Sequence, residues 1–369
     1  MNFLLLPFNF NLKMSNTLGK LYRLTTYGES HGPEIGGIID GFPSNFELDL
    51  ESVQQALDRR RPGQSSLTTD RQESDRVEFL SGIFEGRSTG SPIAFRIPNK
   101  DQRSADYSAM KDVYRPSHAD YVYEQKYGNR DHRGGGRASA RETANWVVAG
   151  AIASQYLKNE GVRIGAGVTG VGELILSQTE NLDYSKVYEN DLRCPDAAAA
   201  EAMSLLIQEV KNEGDSLGGR ISSKITGLPV GLGEPIFDKL HARLAQALFS
   251  INAVKAVEFG SGVEASKMRG SAHNDAFVKR DGKVRTSTNQ SGGIQGGISN
   301  GEDILIHIHF KPVATIAQKQ STLNQAGEEV ELEAKGRHDA CVVPRAVPIV
   351  EAMIANVLLD FVLEQKARG

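Results

Sequence analysis

The stretch RDHRGGGRASARET, Arg130 to Thr143, constrains this chain more than any other. Gly134, Gly135 and Gly136 make a loop whose backbone can lie against a ligand, because glycine carries no Cβ. Arg130, Arg133, Arg137 and Arg141 surround them. The segment then runs into an apolar stretch, predicted as a helix over Ala138 to Lys158 and ended by Gly161. Trp146, Val147, Val148, Ile152, Tyr156 and Leu157 make that helix apolar nearly all round, which places it in the interior. Glycines, arginines and a helix N-terminus form an anion site, since free N–H groups and the helix dipole both favour negative charge. The competing reading is a surface loop with solvated arginines. A capped, buried helix directly after the loop argues against it.

The remaining chain alternates strand-like and helix-like segments without a clear linker. Strands are predicted at Leu21–Thr26, Gly36–Ile39, Ile221–Leu228, Val254–Phe259 and Ile304–Phe310, and helices at Asp196–Asn212, Phe237–Ile251 and Ala346–Gln365. Asp49 can cap a further helix through Asp58. At 369 residues the chain has room for two or three domains or one large α/β domain. Its net charge of -4 excludes a global field that would draw it to nucleic acid or membrane; the basic residues cluster locally, which suits a small, highly anionic ligand. Cys194 and Cys341 lack metal-ligand spacing and suggest a reducing compartment; no metal site is expected. No apolar run approaches the roughly 20 residues that span a bilayer. Residues 1–13, MNFLLLPFNFNLK, lack a basic n-region and a cleavage site, and are expected to be a disordered extension or a start-site artefact ahead of Met14.

A weak internal repeat is visible. Gly82, Ile83, Gly86, Ser88, Gly90 and Ile93 match Gly293, Ile294, Gly297, Ser299, Gly301 and Ile304 at identical offsets. Gly36, Gly37, Gly41 and Pro43 loosely echo Gly218, Gly219, Gly227 and Pro229. Chance similarity between glycine-rich turns competes with a duplicated half. Two similar halves packed together would put sheets outside and apolar helices between them.

Three motifs carry reactive side chains. GESHG sets Ser30 and His31 between glycines; HAD sets His118 beside Asp120; GRHD sets Arg337, His338 and Asp339 ahead of the closing helix. Histidine is the usual acid or base near neutral pH, although a single one is more often structural. DRRRPG, from Asp58, ends a helix with three arginines where capping needs one, so phosphate or carboxylate binding is favoured.

GESHG, DRRRPG, RPSHADY from Arg115, YGNRDHRGGGRASARET from Tyr127, SINAVKAVEFG from Ser250, GGIQGGIS from Gly292 and GRHDACVVPRAVPIVEAM from Gly336 together resemble chorismate synthase. The resemblance covers nearly everything after Met14 and implies a single domain over residues 14–369. It also implies an α/β (α+β) fold, a β-α-β sandwich of apolar helices between outer antiparallel sheets, and a cytoplasmic homotetramer. The implied reaction is the last step of the shikimate pathway. In it 5-enolpyruvylshikimate 3-phosphate loses phosphate and one ring hydrogen in a 1,4-elimination, using reduced FMN without net redox change. A substrate with a phosphate and two carboxylates, beside the FMN phosphate, demands a dense set of arginines.

By the same resemblance Ser30, His31, Arg60, Arg133 and Arg345 line the substrate. His31 is the general acid toward the leaving phosphate, His118 serves the flavin near N1, and Asp339 takes a proton at N5. Arg60, Arg137, Ala138, Ser139, Asn252, Ala253, Gly296, Lys311, Thr315 and Arg337 contact FMN. Two departures stand out. Ser66 replaces an arginine of many relatives, and Val313-Ala314-Thr315 leaves one hydroxyl where the family's flavin segment has several. Reduced flavin is expected from an external reductase, since the compact chain is more similar to members without their own NADPH-dependent activity. Two other classes remain. An RGG-type nucleic-acid binder would repeat RGGGR in a basic chain, and this chain has one copy and a pI near 6.1. An NAD(P)H reductase would place GxGxxG after a strand, and no such pattern occurs.

Overall fold

The computed structural model describes residues 15–64, 74–99, 111–132, 134–333 and 339–369. The proposed extension, residues 1–13, lies outside them. The fold is mixed helix and antiparallel sheet, as expected.

The first half opens with β1 (Thr17–Leu18), β2 (Arg23–Gly28) and β3 (Glu34–Asp40). Asp49 then caps α1 (Leu50–Arg60), its carboxylate accepting from the Ser52 N–H. β4 (Glu78–Phe79), the hairpin β5 (Ile83–Phe84) and β6 (Arg87–Ser88), and β7 (Ile93–Pro98) follow. Next come α2 (Asp120–Tyr127) and α3 (Thr143–Asn159).

The second half repeats the plan. It holds β8 (Arg163–Val171), β9 (Leu174–Ile175), α4 (Ala197–Asn212) capped by Asp196, β10 (Gly219–Thr226) and α5 (Leu240–Phe249). β11 (Val254–Phe259) precedes α6 (Gly270–His273) and the hairpin β12 (Phe277–Arg280) and β13 (Lys283–Thr286). The hairpin β14 (Ile294–Gln295) and β15 (Ile298–Ser299) leads to β16 (Ile304–Phe310), then β17 (Gln320–Leu323), β18 (Glu329–Leu332) and α7 (Val343–Arg368).

The two large sheets have matching orders, β1-β2-β3-β7-β4 and β9-β8-β10-β16-β11, with antiparallel neighbours throughout. The repeat extends to single bonds. Ser88 Oγ donates to Pro43 O and accepts from Phe46 N, and Ser299 Oγ donates to Pro229 O and accepts from Leu232 N. Such agreement in side-chain bonding is beyond what similar turns produce by chance.

Helices α1, α3, α5 and α7 supply the apolar interior, continuous with Ile39, Phe95, Val168 and Ile306 from the sheets. Gly150 lets α3 and α7 close at their centres: a Cβ there would stand 2.4 Å from Ala352 Cα. α7 corrects one sequence-based expectation, for it is long and apolar enough to cross a bilayer; 89% of its most apolar window is buried in the protein, so it is the core helix. α3 corrects another. It begins at Thr143, after two 3₁₀ turns, Gly136–Ala138 and Ala140–Glu142. Ser139 is extended between them, breaking the ladder, and its Oγ accepts from the Arg141 N–H.

Candidate active site

GESHG forms the turn from β2 into β3. Asn99, just beyond β7, pins it by donating from Nδ2 to Glu29 O and Gly32 O at 3.0 and 2.8 Å. Ser30 is buried, with its Oγ 3.1 Å from His31 Nδ1. The glycine loop covers the imidazole, and a Cβ on Gly134 would stand 2.1 Å from His31 Nδ1. Two distant motifs therefore meet at one ring, and only glycine permits the approach.

Behind this loop lies a buried charge cluster. Arg60, at the end of α1, is 2% exposed and donates to Ala140 O, Thr143 Oγ1 and Asp75 Oδ2. Arg141 pairs with the same Asp75 and donates from Nε to Asn99 Oδ1. Burial alone would raise the Asp75 carboxyl, but Arg60 and Arg141 outweigh it and hold the group below the usual carboxylate range. Arg345, in the first turn of α7, adds to that field and donates to Asp339 Oδ2 at 2.5 Å. Arg141 Nη2 and Arg345 Nε are buried without a hydrogen-bond partner among the described residues. Such donors are costly to bury unmatched, so they favour an anionic ligand.

A second group surrounds the glycine loop. Arg137 donates to Gly28 O, Thr26 Oγ1 and Glu142 Oε2. Burial pushes Glu142 above the ordinary carboxyl range despite these bonds. Asn252 Nδ2 donates to Ala138 O at 2.9 Å, and Lys311 N to Ala253 O. Lys311 Nζ donates only to Ser117 among the described residues, 3.0 Å from its Oγ. Burial, and then the charge of Lys255, push its ammonium below the ordinary lysine range. Next to Ser117, His118 Nδ1 lies 3.2 Å from Asp120 Oδ1. Burial opposes ionisation of Asp120, yet bonds from Arg115 and His118 drive its pKa far down, so Asp120 is a fixed anion that holds a proton on Nδ1. A cleft of about 920 Å³ opens here, with His118, Tyr123, Gly134 to Arg137 and Trp146 on its walls.

The structure thus brings Ser30, His31, Arg60, Arg137, Ala138, Ser139, Asn252, Ala253, Lys311, His118, Arg345 and Asp339 into one chain of linked contacts and electrostatic neighbours. Thr315 is buried in the loop after β16, and Gly296 sits at the tip of the β14–β15 hairpin; no described contact ties either to the cluster. Arg133, Arg337, His338 and Ser66 lie outside the described residues.

Comparison with known proteins gives the family. Residues 22–363 match the family model "Chorismate synthase". A chorismate synthase of Christiangramia forsetii is 59% identical over 95% of this chain and 98% of its own length. One from Bacteroides thetaiotaomicron is 56% identical over 96% of this chain and 99% of its own. The chain belongs to the chorismate synthase family. A crystal structure of a chorismate synthase superposes with a TM-score of 0.76 at 32% identity, covering 94% of this chain and 93% of that one.

Several residues that organise this family member were not singled out from the sequence. Asp75, Asn99 and Glu142 stand among ordinary polar residues. Asp75 had an indirect signal, because buried arginines require a carboxylate nearby. Asn99 had none, since its role depends on three segments meeting.

Proposed function

We propose that the chain converts 5-enolpyruvylshikimate 3-phosphate into chorismate and inorganic phosphate by 1,4-elimination, with reduced FMN and no net redox change, the last step of the shikimate pathway. The observation that carries this reading is a cationic set, Arg60, Arg141 and Arg345, tied through Asn99 to the turn that holds His31, with two of its members keeping buried donors unmatched. A phosphate and two carboxylates would match them.

His31, steadied by Ser30 and Gly134, is suited to donate a proton to the leaving phosphate oxygen. Asp339, oriented by Arg345, is suited to accept a proton. The residues also fit FMN: Lys311 lacks a carboxylate partner among the described residues and suits a phosphate. The cleft beside His118 is within the size of cofactor sites. Asn252, Ala253, Lys311, Arg137, Ala138 and Ser139 would hold FMN, with His118 Nδ1 committed to Asp120 and Nε2 left for the ligand. Reduced FMN, when bound, supplies the electron density that eases C–O cleavage. We assign its supply to an external reductase, the assembly to a homotetramer and the location to the cytoplasm, where the free, buried Cys194 and Cys341 stay reduced.

Anaerobic turnover with catalytic reduced FMN tests the reading. Many chorismates should form per flavin; one reductant consumed per chorismate refutes it. Substrate and FMN should tighten each other by one shared factor, about 5- to 150-fold.

A further inference from the structure

Arg193 lies in the loop before α4, outside every motif assigned above. Its backbone is left-handed, with φ of +61°, which a non-glycine residue rarely adopts. Its side chain is buried and makes no ion pair among the described residues. Burial pushes its pKa below the ordinary arginine range. Glu351 acts on it through its charge, and the Tyr188 ring lies 5.5 Å away, but its hydrogen bonds go to no carboxylate; a strained backbone carrying such a buried cation calls for a reason.

The reason lies in its acceptors. Nη1 donates to Pro344 O at 2.6 Å, and Nη2 donates to Arg59 O and to Gln64 Oε1. Both carbonyls are orphans of their helices. Pro344 O would accept from the residue four positions on, which is Pro348 and has no N–H. Arg59 O is in the last turn of α1, where carbonyls have no partner within the helix. One planar fork therefore serves two helix ends. The residues next to its acceptors are Arg60 and Arg345, the two arginines set on the substrate from opposite halves of the fold. Arg59, Gln64, Arg193, Pro344 and Arg345 line a cavity of about 340 Å³, so the clasp borders open space.

We propose that Arg193 is a positioning residue: by clasping the end of α1 to the first turn of α7, it sets the spacing of Arg60 and Arg345 across an anionic substrate. This rests on the function proposed above. The clasp depends on the guanidinium fork, because a single ammonium cannot reach both carbonyls in line. The loop itself is well anchored, with Asn190 bonding both N and O of Cys194, and Val168 N donating to Arg193 O. Loss of the side chain therefore unlinks the two helix ends rather than the loop, with Arg59 O keeping its bond from Gln64 Nε2.

The test uses the full chain and its Arg193→Ala, Arg193→Lys and Arg243→Ala variants. Arg243 binds Asp360 and Glu364 away from the site, and its loss controls for lowered stability. Arg193→Ala should raise KM for 5-enolpyruvylshikimate 3-phosphate about tenfold or more, with kcat within about threefold, since a small misplacement of binding groups is costly. Calorimetric binding of the same ester should weaken by a similar factor, while FMN affinity holds. Arg193→Lys should fall between Ala and wild type, and Arg243→Ala should lower the thermal midpoint without moving KM. The inference is overturned if Arg193→Ala keeps KM and ester binding within about twofold of wild type, or if Arg243→Ala raises KM equally at the same loss of midpoint. Should Arg193→Ala not fold, an unchanged KM in Arg193→Lys overturns it. Wild-type protein that neither binds nor converts the ester removes the functional reading itself, an outcome distinct from a variant behaving as wild type.

Discussion

In the first half of the molecule β3 passes Pro43 and enters α1; in the second, β10 passes Pro229 and enters α5. Each turn is closed by the serine of a short hairpin, Ser88 or Ser299. The frames agree, and the helix ends differ. α1 finishes in Arg59, Arg60 and Arg61, whereas α5 runs on to Asn252. Both reach the same 3₁₀ turns before α3: Arg60 Nη1 donates to Ala140 O, and Asn252 Nδ2 to Ala138 O. One half brings charge to the turn and the other a neutral amide. The segments ahead of α3 and α7 are likewise equivalent in topology, one carrying the glycine loop and the other Asp339. The scaffold tolerates duplication because its packing needs only patterned apolar residues, while the site arises where the copies diverge.

The largest expected effects test whether both halves contribute chemistry. His31→Ala, from the first, and Asp339→Asn, from the second, should each lower kcat about 10²- to 10⁴-fold with FMN binding kept. Near-normal kcat in either variant would confine the chemistry to one half. Gly134→Ala comes next. Its added Cβ would meet the His31 ring, so kcat should fall by about 10²-fold with little change in thermal midpoint. An unchanged rate would show that the ring position is not critical.

Asp75→Asn tests the charged side of the comparison through stability. Two buried guanidinium groups would lose their anion, at a cost of about 3–5 kcal/mol, read by denaturant titration. Asn252→Ala removes only a neutral bond and should cost about 1 kcal/mol, seen as weaker FMN affinity rather than a higher KM for the ester. Equal penalties for the two would erase the distinction between the halves.

The smallest effect concerns the outer faces of the sheets. Arg96 on β7 and His307 on β16 hold corresponding places, paired in register with Glu78 and Glu258. Arg96 keeps its charge at every relevant pH. His307 is pushed down to about 4 by burial and then by Arg220, with Ser222 Oγ 2.8 Å from Nδ1. The unfolded histidine, at about 6.5, binds a proton before the folded one does. Its contribution to stability is therefore full above that value and lost as pH falls toward 4. The midpoint should drop by a few degrees over this window, and His307→Gln should flatten the drop. A slope unchanged by His307→Gln would place the acid response elsewhere.

Much of this was legible in the residues alone. Local patterns foretold β11 and β16 at their observed limits and α4 and α5 within a few residues, because apolar period and capping act over short distances. The spaced glycines and serines already held the repeat, and long motifs already held the family. Other features depended on residues far apart in sequence coming close. Nothing around Asp75 announces that Arg60 and Arg141 share it, and DRRRPG does not say that Arg60 turns inward while Arg59 lies 4.2 Å over the Tyr188 ring. Nor does GRHD say that Asp339 accepts from Arg345, a guanidinium that the first turn of α7 carries back toward it. Sequence determined the elements, the family and the residue types of the site, through short-range propensity and motif spacing. Only the tertiary structure decided which charge answers which, because buried ions take their partners from whatever chain segments packing brings within hydrogen-bond distance.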